Sequence, residues 1–367
     1  MNYVKWYKLP VVNLSSLLIV CFSGYFMTNI MPISPVYFTT FLALLLLLLS
    51  KNFFLPSDRF IIYSVHFLYA LYFPLNALIN NTNIKNSIVM FFFGLYYIFC
   101  DIILVQVKRK QVMKYILKMY VLFFSIYYLI DFYLRYRNSK TLDIPGWIEV
   151  NPIYKFYLYK LGGLFADSNS LGVVSTCLFS IFFFAMVKNI VKTRIVVLIF
   201  IFCFFTFSRS AIIATLFLIL FYNFFYKKKV IARFIFLLLS LVLLFLIFNY
   251  LMTDGSFISK IDIFVRTVEW LENCSVFEFI FGGGANTSIK NIGFYAHNIW
   301  SLLIVEYGMI GCILFILMMV CTCIDCGKNY FFVLLPYLIV SLSFTPIFLP
   351  FLMVSFVVIR IYDRLKG

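Results

Sequence analysis

The sequence predicts an all-helical, polytopic integral membrane protein with about 12 transmembrane helices. Of its 367 residues, 64% are hydrophobic and only 12% are charged, and the mean hydropathy is +1.02. Soluble domains carry roughly 25% charged residues, because a globule in water needs a polar surface. The composition therefore excludes a soluble enzyme, a disordered chain and a disulfide-stapled secreted domain. A chain that crosses a membrane many times is what such a composition favours.

Apolar runs recur along the whole chain, so we predict a single transmembrane domain over residues 1–367. Two loops between the runs are long, at about 135–163 and 253–296, and we expect both on the outer face of the membrane. A protein with its non-membrane mass on one face is expected to work at that face. The predicted spans are about 11–31, 35–50, 60–79, 88–107, 115–134, 164–187, 195–207, 210–226, 234–252, 297–320, 330–345 and 347–360.

Basic residues predict the orientation of the chain. Its net charge of +16 would suggest nucleic acid as a partner in a soluble protein, but in a membrane protein it marks the cytoplasmic loops. With the N-terminus inside, 20 of the 30 Lys and Arg fall on the cytoplasmic side, and both termini are cytoplasmic. Those 20 lie in the segments 5–8, 51–59, 108–118, 188–194, 227–233 and 360–366, and at Lys328.

The chain has two histidines, His66 and His297. His66 lies in an apolar run with no charged neighbour, which favours a residue packed between helices. His297 lies where the second long loop enters a span, and an imidazole at this water boundary can exchange protons near neutral pH. The sequence leaves open whether His297 is a catalytic group or an interfacial side chain.

Two arginines outside the cytoplasmic segments are candidates for anion binding. Arg209 stands between Ser208 and Ser210 in a short turn, where a guanidinium and two hydroxyls suit an anion. Arg266 shares a helical stripe with Trp270, in a segment whose apolar spacing predicts an amphipathic helix on the outer membrane surface. The alternatives are that Arg209 only anchors the turn and that Arg266 only forms an ion pair on the surface.

Three further polar residues lie at predicted span entrances or inside spans. Asp167 and Asn169 enter a span together, where polar groups face a wet cavity or the protein interior, or cap a helix. Glu306 lies nine residues after His297. On a straight helix that is about 13.5 Å deeper and on the opposite side, so Glu306 does not orient His297. A carboxylate there is expected to be protonated or paired with another helix.

Four segments occur in a fixed order over about residues 163–311. They are Gly163 to Asn169 (GLFADSN), Phe207 to Ala211 (FSRSA), Arg266 with Trp270 and the run FGGG at 281–284, and His297-Asn298 followed by Leu302, Glu306, Gly308 and Gly311. Together they resemble the O-antigen polymerase and ligase superfamily, although that family often has proline at the position of Ser168. The first 160 residues resemble it only in the pattern of spans.

The resemblance implies a GT-C-like, metal-independent inverting glycosyltransferase of the bacterial inner membrane, with its active site on the periplasmic face. A polymerase would move a growing glycan from undecaprenyl diphosphate to the terminal sugar of another lipid-linked repeat unit. His297 would be the general base, and Arg209 and Arg266 would neutralise the diphosphate. Substrate contacts would come from Asp167, Asn169, Trp270, Asn298 and Glu306.

Two other functions remain open at the sequence level. A ligase would transfer the glycan to lipid A–core, and a transporter (flippase) would move the lipid-linked oligosaccharide across the membrane. A transporter is expected to carry charged groups near mid-bilayer on several helices. The expected partners are undecaprenyl-diphosphate-linked oligosaccharides, membrane lipid, and a chain-length regulator and flippase of the same pathway. No cofactor and no nucleic acid are expected.

Overall fold

The computed structural model describes residues 11–25, 34–49, 57–140, 158–160, 163–165, 168–225, 255–342 and 350–365. Within these ranges the regular secondary structure is entirely helical. The α-helices are α1 (Val11–Cys21), α2 (Pro35–Leu48), α3 (Phe60–Ile79), α4 (Ile84–Gly94), α5 (Tyr96–Leu104), α6 (Lys110–Asn138), α7 (Ser168–Val187), α8 (Thr193–Phe205), α9 (Arg209–Phe225), α10 (Gly255–Asn273), α11 (Val276–Phe281), α12 (Ser288–Ile292), α13 (Ile299–Cys326), α14 (Phe331–Ser341) and α15 (Pro350–Arg364).

Five helical stretches in the described part of the chain are long and apolar enough to cross a membrane. They are α3, the nearly continuous pair α4–α5, α6, α7 and α13. Five more apolar helices, α1, α2, α8, α9 and α14, have 10–17 residues. The predicted class of helical, multi-pass membrane protein is confirmed at this level. The count of 12 spans stays a prediction, and the span predicted at 234–252 lies outside the described residues.

Helices extend into both predicted outer loops. Helix α6 continues to Asn138, so Arg135, at the predicted start of the first outer loop, is helical. An ion pair one turn apart stabilises this end of α6, because Arg135 Nε lies 2.5 Å from Asp131 Oδ2 and both side chains are buried. The second outer loop, 253–296, contains three helices. One of them, α11, begins at a capping box in which Ser275 and Glu278 satisfy each other's main-chain N–H groups.

Helices α7 and α15 form the centre of the bundle. α15 is buried from Pro350 to Ile361, and α7 is buried along most of its length against α8, α9, α14 and α15. Small polar residues can be buried in α7, because the hydroxyls of Thr176 and Ser180 donate to main-chain carbonyls of their own helix at 2.9 Å. Peripheral helices α3 and α13 instead expose apolar side chains, as lipid-facing helices do.

Ion pairs show which helix ends lie together. Arg59, just before α3, pairs with Asp101 near the end of α5 (Nε–Oδ2 2.9 Å) and with Asp325 near the end of α13. Lys188, just after α7, pairs with Asp363 of α15 at 2.7 Å. We call this the basic end. It gathers segments that the charge pattern assigns to the cytoplasm.

The opposite end of the bundle collects the described parts of the four sequence segments, and we call it the motif end. Helices α3 and α6 start at the basic end and α7 finishes there, so the end of α3, the end of α6 and the start of α7 all lie at the motif end. There Asp131 of α6 binds the main chain of Leu164, Asn169 of α7 contacts Ser208, and α3 contacts the glycine run after α11.

Candidate functional site

The turn between α8 and α9 packs directly against the start of α7. Ser208 is fully buried, and its hydroxyl donates to Asn169 Oδ1 at 3.2 Å and lies 3.2 Å from the Ser210 hydroxyl. This close approach requires Gly172, where a Cβ atom would lie 2.5 Å from the Ser208 Cβ. Arg209 is the first residue of α9 and is half-buried. Polar residues from the first and second sequence segments therefore form one cluster.

The conformation of this turn is unusual at Phe207. Its φ is +56°, a value that bulky side chains seldom adopt. Strained backbone of this kind collects at functional sites. The hydroxyl of Thr206 accepts the Ser208 N–H at 3.2 Å and helps to fix the turn. Arg209 thus stands at a helix N-terminus, where main-chain N–H groups and the guanidinium both favour an anion.

Asp167 lies outside the described residues, but the chain is held on both sides of it. On one side, Asp131 Oδ1 accepts the N–H of Leu164 at 2.6 Å, and a Cβ atom at Gly163 would press against the Asp131–Arg135 ion pair. On the other side, Asn169 contacts Ser208. The ends of the segment that carries Asp167 are therefore fixed relative to α6 and α9.

Helix α13 is broken at Gly308, where φ is +63° and ψ is −168°. The break leaves main-chain carbonyls without helical partners, and the glycine run supplies donors for them. Gly283 N–H donates to Val305 O at 2.8 Å, and Gly284 N–H donates to Glu306 O at 3.0 Å. The approach needs a bare backbone at Gly282, because a Cβ atom there would lie 2.5 Å from the Glu306 oxygen. The glycine run is thus part of the helical bundle.

The Glu306 carboxylate is buried and also holds this loop. Its Oε2 accepts the N–H of Asn286 at 2.9 Å, and its Oε1 accepts the N–H of Ser288, at the start of α12, at 3.4 Å. Glu306 is 3% exposed. The sequence predicted that the Glu306 carboxylate is either protonated or paired with another helix. The structure adds a third arrangement, because main-chain N–H groups of the loop bind the carboxylate. Substrate binding by Glu306 stays a prediction, whereas its loop contacts favour a positioning role.

The predicted amphipathic helix is confirmed as α10. Ile263 and Thr267 face the protein and are buried. The apolar stripe that contains Ile261, Val265 and Val268 faces away from the protein, and each of these side chains is 40% or more exposed. Outward apolar side chains are what a helix lying on a lipid surface requires. The location of α10 on the outer membrane surface stays a prediction.

Arg266 stands beside a polar groove between α10 and α12. The guanidinium carbon lies 5.0 Å from the centre of the Phe294 ring, a cation–π distance that ties α10 to the chain just before His297. The groove has a volume of about 410 Å³. Besides Arg266, it is lined by Glu269, Trp270, Asn273, Lys290, Asn291, Ile292 and Gly293. An aromatic ring with cations and amides can contact both a sugar and a phosphate.

His297 is exposed and lies three residues after Phe294. Its ring packs edge-on against Tyr295, with ring centres 5.4 Å apart. The next residue, Asn298, caps α13, because its Oδ1 accepts the Ser301 N–H at 2.7 Å. This cap fixes the backbone that carries His297. A substrate contact by Asn298 stays a prediction.

The first part of α13 turns back toward the second part. Trp300 and Phe315 are 15 residues apart, which is about 22 Å along a straight helix, yet their ring centres are 6.0 Å apart. The break at Gly308 makes this contact possible. The span predicted at 297–320 therefore contains a bend at Gly308, which divides α13 into two helical parts.

The described contacts thus form two groups at the motif end. One joins Asn169 to the turn of Arg209, and the other joins Arg266 and Trp270 to the chain that carries His297. Among the described residues, no three His, Cys, Asp or Glu side chains lie close enough to hold a metal ion.

Comparison with known proteins returned no matching family model and no matching curated protein. The likeness to a family therefore depends on the four sequence segments alone.

Sequence analysis missed the residues that hold the motif end together. Asp131 and Arg135 fix the loop before Asp167, and Tyr72 of α3 donates to the Tyr307 carbonyl at 2.7 Å, beside the break in α13. One signal was available for the first pair. An aspartate inside an apolar run is costly unless it is paired, and Arg135 lies one helical turn away.

The orientation of the chain can be tested at Lys290, an exposed residue of the groove. In a Cys274→Ser background, we expect a Lys290→Cys variant to react with a membrane-impermeant maleimide in intact spheroplasts. The basic partition places this segment outside. Arg194→Cys, an exposed position just after the basic end of α7, should react only after lysis. The reverse pattern would contradict the predicted topology.

Proposed function

We propose that this chain is a polysaccharide polymerase of the bacterial inner membrane, with a GT-C-like fold of about 12 spans. It transfers a growing O-antigen or capsule glycan from undecaprenyl diphosphate to the terminal sugar of another lipid-linked repeat unit at the periplasmic face. The observation that carries the proposal is the groove in which Arg266, Trp270 and Lys290 converge beside the chain that leads to His297.

The chemistry of this transfer suits the side chains at the motif end. The acceptor hydroxyl oxygen attacks the anomeric carbon, the bond from that carbon to the diphosphate oxygen breaks, and the hydroxyl proton passes to His297. The diphosphate leaves with its negative charge, which Arg209 and Arg266 stabilise through forked hydrogen bonds. Attack from the side opposite the diphosphate inverts the anomeric centre.

The ligase alternative uses the same groups with a different acceptor, and no described contact separates it from the polymerase. The transporter alternative predicts charged groups near mid-bilayer. The buried charges of Arg59, Asp101 and Asp325 do join several helices, but they lie within about one turn of helix ends. This position gives the transporter no added support.

Deletion of the gene in its own strain separates the three functions. A polymerase deletion leaves surface chains of a single repeat unit. A ligase deletion leaves bare lipid A–core with lipid-linked polymer behind it, and a flippase deletion leaves lipid-linked units on the cytoplasmic side. We expect single-repeat chains on the gel, and either of the other two patterns would replace the proposal.

The arginines provide a finer test. We expect Arg209→Lys and Arg266→Lys each to lose most of the polymerisation activity at normal abundance, because lysine keeps the charge but lacks the planar fork. Arg194→Lys, an exposed arginine remote from the motif end, is the matched control and should keep wild-type ladders. Chain length is measured on gels at equal protein level. Full activity of either site variant would remove that arginine from the diphosphate site.

A further inference from the structure

A buried ionic network occupies the basic end and is separate from the motif end. Arg59, Arg360 and Arg364 meet Asp101 and Asp325 there, so three arginines face two aspartates and one positive charge is in excess. Apart from Arg364, whose side chain is 57% exposed, the charged groups are almost fully buried. Burying charge is costly unless each group is satisfied, so the distribution of partners matters.

Arg59 pairs with both aspartates. The Arg59 guanidinium binds both carboxylate oxygens of Asp325, and its Nε lies 2.9 Å from Asp101 Oδ2. Tyr97 also donates to Asp325. Arg360 forms ion pairs with the same two aspartates. A guanidinium has about five N–H donors and a carboxylate about four lone-pair sites, so three arginines carry more donors than two aspartates can accept. This excess favours an additional anion.

A small cavity of about 100 Å³ is lined in part by Arg360 and Arg364. A water molecule needs roughly 10–15 Å³ of such space, so the cavity exceeds a single water site. One wall is basic and the others are apolar. The cavity is lined by Val105, Val107, Arg360, Ile361, Arg364 and Leu365.

The surroundings of the cavity add positive charge. Lys108 and Arg109 follow Val107 directly and are exposed. The acidic group nearest in sequence, Asp363, lies one helical turn after Arg360 and is paired with Lys188 at 2.7 Å. Basic pockets between transmembrane helices at the cytoplasmic side bind lipid head groups, and the apolar walls suit the glycerol and first methylenes of a lipid.

We propose that the cavity between α5 and α15 binds the head-group phosphate of an anionic phospholipid in the leaflet at the basic end. Arg360 and Arg364 donate to the phosphate oxygens, and the excess positive charge of the network is neutralised. This site is independent of the proposed glycosyl transfer, because it lies at the other end of the bundle.

The test measures the thermal unfolding midpoint of the full chain, purified in detergent, during titration with dioleoyl phosphatidylglycerol. We expect phosphatidylglycerol to raise the midpoint and phosphatidylcholine to leave it unchanged. In Arg364→Gln, the half-maximal lipid concentration should rise about five-fold, the change expected for one basic side chain at a lipid surface. Arg364→Gln spares the buried Arg59–Asp101 pair, so the variant is expected to fold.

Arg194→Gln is the matched control, since Arg194 is exposed just after the basic end of α7 but does not line the cavity. It should titrate like the wild type. A parallel titration with potassium phosphate identifies the source. A rise with inorganic phosphate that Arg364→Gln weakens would assign the site to free phosphate. Equal titration of wild type and Arg364→Gln with phosphatidylglycerol, or no rise with either anion, would overturn the proposal.

Discussion

His297→Ala should abolish polymerisation while the protein still inserts at normal abundance. Loss of a general base costs about 10²–10⁴ in rate, which is enough to reduce long chains to single repeats. The structure makes the variant suitable for this test, because the His297 side chain is exposed. The measurement is the chain-length distribution on a gel at matched expression.

His66→Ala is the control for this experiment. His66 is fully buried, stacks on Tyr97 with ring centres 4.2 Å apart, and has its Nε2 3.0 Å from the Thr322 hydroxyl. These contacts match the packed residue predicted from the sequence. The change should therefore lower stability and leave chain length nearly unchanged. Wild-type ladders from His297→Ala would end its catalytic assignment, and a missing ladder from well-expressed His66→Ala would move the assignment to that histidine.

Asp101→Asn should cause a large loss of stability. The carboxylate is fully buried and faces Arg59 and Arg360, and its removal leaves two buried guanidiniums short of countercharge. Breaking a buried pair from one side costs about 3–5 kcal/mol. The unfolding midpoint of the purified protein and its abundance in membranes should both fall.

The matched control is Asp58→Asn, an exposed aspartate just before Arg59. A surface change of this kind is expected to stay within about 0.5 kcal/mol. A second arm adds Arg360→Gln to Asp101→Asn. If the two groups interact, the double change costs less than the sum of the single changes. An unchanged midpoint in Asp101→Asn would mean that the pair contributes nothing to stability.

Local patterns predicted the helices well. The span 60–79 has the bounds of α3, and the amphipathic spacing around Arg266 predicted α10. Both signals depend only on residues within a few turns of each other, which a sequence displays directly. The same holds for His66, since an uncharged apolar neighbourhood already indicates packing.

Distant contacts could not be predicted in this way. Asp101 and Asp325 are 224 residues apart in the sequence and meet only because α5 and α13 finish at the same end of the bundle. The break at Gly308 was missed for a related reason. A single glycine in an apolar run is compatible with a continuous helix, and only the glycine run after α11, 24 residues earlier, makes the break favourable.

The interrupted α13 has a consequence for how the chain is assembled during synthesis. A helix normally completes its own hydrogen bonds before it leaves the translocation channel, but the carbonyls of Val305 and Glu306 depend on donors at Gly283 and Gly284. Each such carbonyl left alone in hydrocarbon would cost several kcal/mol. The donors leave the ribosome before α13 does. Because the glycine run precedes α13 in the sequence, its N–H donors are already available when the broken helix enters the membrane.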